Sequence, residues 1–67
     1  MLIIIPTYNE IENIEAIIRA VFSRDERFHI LIVDDNSPDG TAAKVKALQT
    51  EFPTRLFLEV RTEKKGL

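Results

Sequence analysis

The chain has no cysteine, a single histidine and only two glycines in 67 residues. Without cysteine no disulfide can staple the fold, and no spacing of Cys and His offers a structural zinc site. No apolar run approaches the roughly 20 residues needed to span a bilayer as a helix. Leu2 to Ile5 is too short for a signal peptide and lacks a basic flank. Neither Gly-x-Gly-x-x-Gly nor Gly-x-x-x-x-Gly-Lys-Ser/Thr is present, which removes the two glycine-rich phosphate loops. No cysteine can act as nucleophile, and no serine stands in a nucleophile elbow. An excess of positive charge is missing too. The net charge of −2 argues against nucleic acid as a partner. Repeats, low-complexity stretches and flexible linkers are absent. Nothing in the composition resists a reducing cytosol, so the expected location is the cytoplasm, or the cytoplasmic face of a membrane if the chain is part of something longer.

What is there is one domain at most, residues 1–67, near the lower size limit for independent folding. A core this small only just offsets the entropy of ordering the chain. Leu2-Ile3-Ile4-Ile5 is a short β-branched run that reads as a buried parallel strand. Pro6 is expected to end it. Asn9 offers an N-cap, with Glu12 completing a capping-box-like pair, and Ile11, Ile14, Ile18, Val21 and Phe22 form one apolar helical stripe. After a polar connection, Phe28 to Val33 reads as a second strand. Ser37-Pro38 is a good helix start, and Ala42, Val45, Leu48 and Phe52 mark the buried face of a second helix that Pro53 ends. Leu56, Leu58 and Val60 alternate with Phe57, Glu59 and Arg61, as in an amphipathic edge strand.

The order β-α-β-α-β predicts an α/β fold with a three-stranded parallel sheet. Right-handed crossovers place both helices on one face if the strand order is 3-2-1. The other face is then uncovered, so self-association through it is expected. A chain whose first strand starts at residue 2 and which stops just after its third also reads as part of something longer.

In such a sheet the turns after the first two strands lie at the carboxyl edge, where α/β folds bind ligands. Asp34 and Asp35 are neighbours just past strand two and should point to opposite faces. One is expected to face the crevice, accepting hydrogen bonds from a base or a sugar; the other bonds local backbone. Both could instead simply satisfy turn and helix-start amides. Tyr8 offers a ring for stacking on a base, or a surface staple. Glu10 and Asp39 sit where a helix macrodipole favours acids. Arg61, Lys64 and Lys65 could reach a phosphate or form a solvated tail. His29 reads as structural. No complete catalytic constellation and no metal-ligand set is visible.

Ile-Ile-Pro-Thr-Tyr-Asn-Glu at 4–10, Glu12-Asn13, Val-Asp-Asp-Asn-Ser-Pro-Asp-Gly-Thr at 33–41 and Lys-Gly-Leu at 65–67 resemble the amino-terminal part of family 2 glycosyltransferases. Among these, the polyprenyl-phosphate (dolichol-phosphate) mannosyltransferases are the subgroup indicated by the Asp-Asp-Asn-Ser-Pro-Asp-Gly-Thr run at 34–41. The resemblance implies half of a Rossmann-like GT-A nucleotide-sugar domain. The parent enzyme would move mannose from GDP-mannose to a polyprenyl phosphate with Mg²⁺ or Mn²⁺. It also implies that Pro6, Tyr8 and Glu10 line the guanosine pocket, that Val33 and Asp35 hold base and ribose, and that Asn9, Asp34 and Asp39 support the loops. The family's Asp-x-Asp metal motif and the acceptor-side residues are not in these 67 positions, so the segment is expected to hold at most the nucleoside half of the donor and to transfer no sugar alone.

Three alternatives remain open. A related family 2 enzyme could use a UDP-sugar. A non-catalytic assembly module could use the uncovered sheet face. A phosphorelay receiver domain shares the acidic run Ile30-Leu31-Ile32-Val33-Asp34-Asp35-Asn36, although there that motif opens the chain, and here a whole βα unit precedes it.

Overall fold

The computed structural model describes residues 1–61. Lys64, Lys65 and the Lys-Gly-Leu motif therefore lie outside the described residues. The elements are β1 (Leu2–Thr7), α1 (Ile14–Arg24), β2 (His29–Asp34), α2 (Thr41–Gln49) and β3 (Leu56–Val60). All strand pairing is parallel, with β2 in the middle, running from Leu2↔His29 to Thr7↔Asp34 on one side and from Ile30↔Leu56 to Asp34↔Val60 on the other. The order β1-β2-β3 is the expected 3-2-1 arrangement read from the opposite edge.

The core has one side. Ile14, Ile18 and Phe22 of α1, Val45 and Leu48 of α2, Ile30 and Ile32 of β2 and Leu56 of β3 form a single buried cluster, with Phe28 and Phe52 packed against it. Alternate residues of β2 therefore bury toward the helices, while the set between them faces away. On that second face Leu2, Ile4 and Phe57 are 53%, 60% and 43% exposed, which makes it an open apolar surface. His29 is structural, as expected: it stacks on Phe57 across this face, centroids 6.3 Å apart.

Several boundaries differ from those the sequence predicts. Pro6 does not end β1, which continues to Thr7. The carbonyls of Met1 and Thr7 accept the amides of His29 and Asp35, so the odd-numbered residues face β2. Pro6 belongs to the outward set of an edge strand, where its missing N–H leaves no ladder bond unmade. β2 likewise runs one residue further, to Asp34.

Both helices start later than expected. α1 begins at Ile14 behind Asn13, which makes no side-chain cap. A turn over Glu10 to Ile14 precedes it, with the Glu10 carbonyl accepting the amides of Asn13 and Ile14. α2 begins at Thr41 rather than at Ser37-Pro38. Its N-cap is Gly40 at φ 95°, a left-handed conformation that glycine adopts without strain. α2 also closes at Gln49, ahead of the Phe52-Pro53 step, because the Thr50 amide turns back to the carbonyls of Ala47 and Leu48. Phe52 then tilts onto Phe22 at 4.7 Å from the following loop.

A one-sided core makes a clear division between substitutions. Ile32→Ala, at a fully buried position, should lower stability by about 2–5 kcal/mol. Leu2→Gln on the open face should stay within about 0.5 kcal/mol. Urea titration followed by circular dichroism checks both, and equal effects would contradict the one-sided core.

Candidate functional site

Two loops leave the carboxyl edge of the sheet, residues 8–13 after β1 and residues 35–40 after β2. Each reverses at an asparagine in the left-handed region, Asn9 at φ 57° and Asn36 at φ 58°. Asparagine is among the few non-glycine residues that enter this region readily. The loops are joined by side chains. Three consecutive amides of the first donate to the second or to the start of α2: Asn9 N–H to Ser37 Oγ at 2.8 Å, Glu10 N–H to Thr41 Oγ1 at 3.0 Å and Ile11 N–H to Asp39 Oδ2 at 3.2 Å. These bonds explain the late start of α1. Amides that would otherwise need a local N-cap already have acceptors across the gap.

Asp34 anchors this arrangement from below. Its side chain is fully buried, pointing to the helix face of the sheet. Oδ1 accepts the hydroxyls of Thr7 at 2.6 Å and Ser37 at 2.7 Å, while Oδ2 accepts the Ser37 amide at 2.8 Å. Burial pushes its pKa up. The hydrogen bonds from the Ser37 amide, the Thr7 hydroxyl and the Ser37 hydroxyl outweigh that, and the group is held below the ordinary aspartate value. Asp39 does the same for the second helix, accepting the Thr41 amide at 3.0 Å and the Thr41 hydroxyl at 2.6 Å. Its pKa is also lowered, with partial burial opposed by bonds from Thr41 and Ile11.

On the opposite face of the same edge lies a groove of about 230 Å³, lined by Pro6, Thr7, Tyr8, Val33, Asp35 and Arg61. Pro6 and Val33 are register partners and form its floor. Tyr8 is 55% exposed beside it. Asp35 is an exposed carboxylate whose Oδ1 lies 3.8 Å from Arg61 Nε. The volume falls below the roughly 300–1,000 Å³ of a complete small-molecule pocket, so the groove suits part of a nucleotide rather than all of it. An aromatic ring, an apolar floor and one acceptor carboxylate can stack and orient a flat polar ring.

Four of the five residues expected to touch a ligand, Pro6, Tyr8, Val33 and Asp35, thus meet in one groove. Glu10 is not among the lining residues; its carboxylate accepts a 3.4 Å bond from Asn13 Nδ2. Asn9, Asp34 and Asp39 all take part in the bonds between the loops. Sequence reasoning passed over Thr7 and Thr41 and read Ser37 only as a helix start; the hydroxyls of all three make those bonds. It also left Arg61 between phosphate ligand and solvated tail. The bonds of these hydroxyls across the gap carry no local signal, because the partners there are 27, 28 and 31 positions away; for Arg61 the clue was its place immediately after β3.

The residues present do not fit a divalent metal. Among the described residues no three His, Asp or Glu side chains converge. Both oxygens of Asp34 are taken by hydroxyl and amide donors, which leaves Asp35 as a lone carboxylate facing an arginine. One carboxylate is too few for Mg²⁺ or Mn²⁺ to be held by the described residues alone.

Residues 2–67 match the model of the family described as Glycosyl transferase family 2. The chain belongs to that family. It is 48% identical over 66 residues to a polyprenol monophosphomannose synthase of Mycolicibacterium smegmatis, covering 98% of this chain and 25% of that protein. It is 41% identical to a dolichol-phosphate mannosyltransferase of Pyrococcus furiosus, covering 97% of this chain and 18% of the relative. A mannosyltransferase from Pyrobaculum calidifontis, solved in complex with GDP-Man and Mn²⁺, superposes with a TM-score of 0.82 at 31% identity over 98% of this chain and 20% of its own. This family 2 segment thus spans a quarter or less of the length of these relatives, and its sheet has the fold of that mannosyltransferase over the shared part.

The family 2 edge should be sensitive to acid through Asp34. A carboxylate whose folded pKa lies below its unfolded value contributes stability above the unfolded value, near 3.8, and loses it as pH falls through the folded one. Asp34→Asn replaces an acceptor oxygen with a donor facing the Ser37 amide. It should destabilise by about 1–3 kcal/mol at pH 7 and flatten the fall in stability below about pH 4. Urea unfolding between pH 2 and 7 measures both; an unchanged acid slope would contradict the role given to Asp34.

Proposed function

We propose that this segment forms the nucleoside-holding part of a glycosyltransferase that moves mannose from GDP-mannose to a polyprenyl phosphate. The observation that carries the reading is the meeting of Pro6, Tyr8, Val33 and Asp35 in one groove at the carboxyl edge. The similarity to a mannosyltransferase solved with GDP-Man and Mn²⁺ supports the choice of donor. The relatives named for polyprenol and dolichol phosphate support the choice of acceptor.

In this reading the Tyr8 ring stacks on the base over the floor made by Pro6 and Val33. The Asp35 carboxylate accepts a base N–H or a ribose hydroxyl. Asn9, Asp34 and Asp39 keep the two loops at fixed separation, so the ring and the carboxylate are presented together. Glu10 contributes through its backbone, which is fixed by Thr41. A divalent ion, Mg²⁺ or Mn²⁺, would neutralise the departing diphosphate; its ligands belong to parts of the enzyme beyond this segment. Such an enzyme works at the cytoplasmic face of a membrane, where a lipid-borne phosphate is within reach. Among the described residues no helix is long and apolar enough to cross that membrane.

An NMR titration of the labelled chain with GDP, with UDP as control in Mg²⁺ buffer, tests the reading. The expected result is selective shifts at Tyr8, Val33 and Asp35 with GDP, and about tenfold weaker binding in Tyr8→Ala, as loss of one base stack would give. Equal response to UDP would replace the donor by a UDP-sugar. No response at the groove would overturn the reading.

A second reading has its own observation, the open apolar face carrying Leu2, Ile4 and Phe57. Exposed apolar patches of this kind mark contact surfaces. The isolated 67-residue chain should therefore self-associate through that face, independently of nucleotide. Light scattering should give more than one chain per particle, reduced by Ile4→Lys; a monodisperse monomer would contradict it.

A further inference from the structure

We infer that Arg61 binds the phosphate end of a nucleotide, leaving Asp35 to the nucleoside as it does so. The inference rests on the nucleotide reading of the groove and adds a residue to it. Arg61 is the one cationic side chain among the described residues that line the groove. With it removed, the remaining charged group there would be the Asp35 carboxylate, and a nucleoside diphosphate carrying several negative charges would meet only repulsion.

The position of Arg61 is fixed by its backbone. Its amide donates to the Asp34 carbonyl at 2.8 Å, which extends the β2–β3 ladder by one rung. The residue is therefore held at the carboxyl edge while its side chain is largely exposed. The present partner of that side chain is a poor one. Arg61 Nε and Asp35 Oδ1 are 3.8 Å apart, beyond hydrogen-bond distance, with both side chains more than 60% exposed. Such a pair contributes little and is easily exchanged. It is also a single contact, whereas a guanidinium can make two parallel bonds to a phosphate, which carries more charge than a carboxylate.

The exchange has a chemical logic. At 3.8 Å Arg61 makes no hydrogen bond to Asp35, so the carboxylate can already accept from a nucleoside, and the move of Arg61 to a phosphate takes the nearest competing charge away from it. One ligand carrying both groups satisfies both side chains at once. A nucleoside without phosphate engages Asp35 alone, and free phosphate engages Arg61 alone.

The test is a set of NMR titrations of the 67-residue chain and of its R61Q and R61K variants with guanosine, GMP and GDP as probes. R61Q should weaken GDP about tenfold, in line with the loss of a charge-assisted bidentate contact, and change guanosine by less than about twofold. GMP should fall between, and R61K should retain part of the GDP affinity. Raising the salt concentration should weaken GDP binding in the wild-type chain more steeply than in R61Q. Unchanged GDP affinity in R61Q would overturn the inference. So would equal weakening of guanosine and GDP, since Arg61 would then act only by positioning Asp35. If the wild-type chain bound guanosine but gained nothing from phosphate, the groove would stand and the inference would fall. Binding of none of the three probes would overturn both.

Discussion

The arrangement at the carboxyl edge depends on one buried carboxylate. Asp34 lies at the end of the central strand, fully enclosed, and among the described residues no cation pairs with it. A buried charge in that position is tolerable only because three donors meet it, two hydroxyls and one amide, drawn from both sides of the sheet edge. Thr7 belongs to the first strand and Ser37 to the second loop, so satisfying the charge also fixes the distance between them. Ser37 then passes the constraint on, accepting the Asn9 amide with the same hydroxyl that donates to Asp34. Asp39 and Thr41 repeat the pattern one turn further along.

This explains why neighbouring acids have different tasks. Adjacent residues at a strand end point to opposite faces. Asp34 goes to the helix side and becomes structural; Asp35 goes to the open side and lines the groove. Apart from Thr7, which belongs to both, the groove therefore consists of residues held in place by a network their side chains do not join. A substitution in the network should alter the groove without removing any group from it. The same alternation joins the open sheet face to the site: Pro6 and Val33 belong to both, which makes the groove a continuation of the exposed apolar surface at the ends of the strands.

The strand–helix alternation, the parallel sheet, the strand order and the uncovered face were all legible in the sequence, because they follow from apolar runs, helical spacing and crossover length. The helix starts were not. Asn9 and Ser37 each carry a good local capping signal, yet the Asn9 amide and the Ser37 hydroxyl are bonded to each other across the two loops, 28 positions apart. Local rules assume that an end must be capped locally. Pro6 was misplaced for a related reason, since whether proline ends a strand depends on which side of the strand has a neighbour. For the site, residue types alone identified the aromatic, the apolar floor and the accepting carboxylate. The hydroxyls between the loops and the place of Arg61 needed the third dimension, as did the finding that Glu10 lies outside the groove.

The central claim is that the two loops form one unit joined through side chains. Native-state hydrogen exchange at the amides of Asn9, Glu10 and Ile11 tests it most directly. These three have no acceptor in their own loop, so their protection reports the bonds to Ser37, Thr41 and Asp39 and nothing else. The account expects them to exchange slowly in the wild-type chain, close to the rate of Ile32, and to speed up together in Asp34→Asn. Exchange at the rate of an open loop, or a response of one amide without the other two, would contradict it.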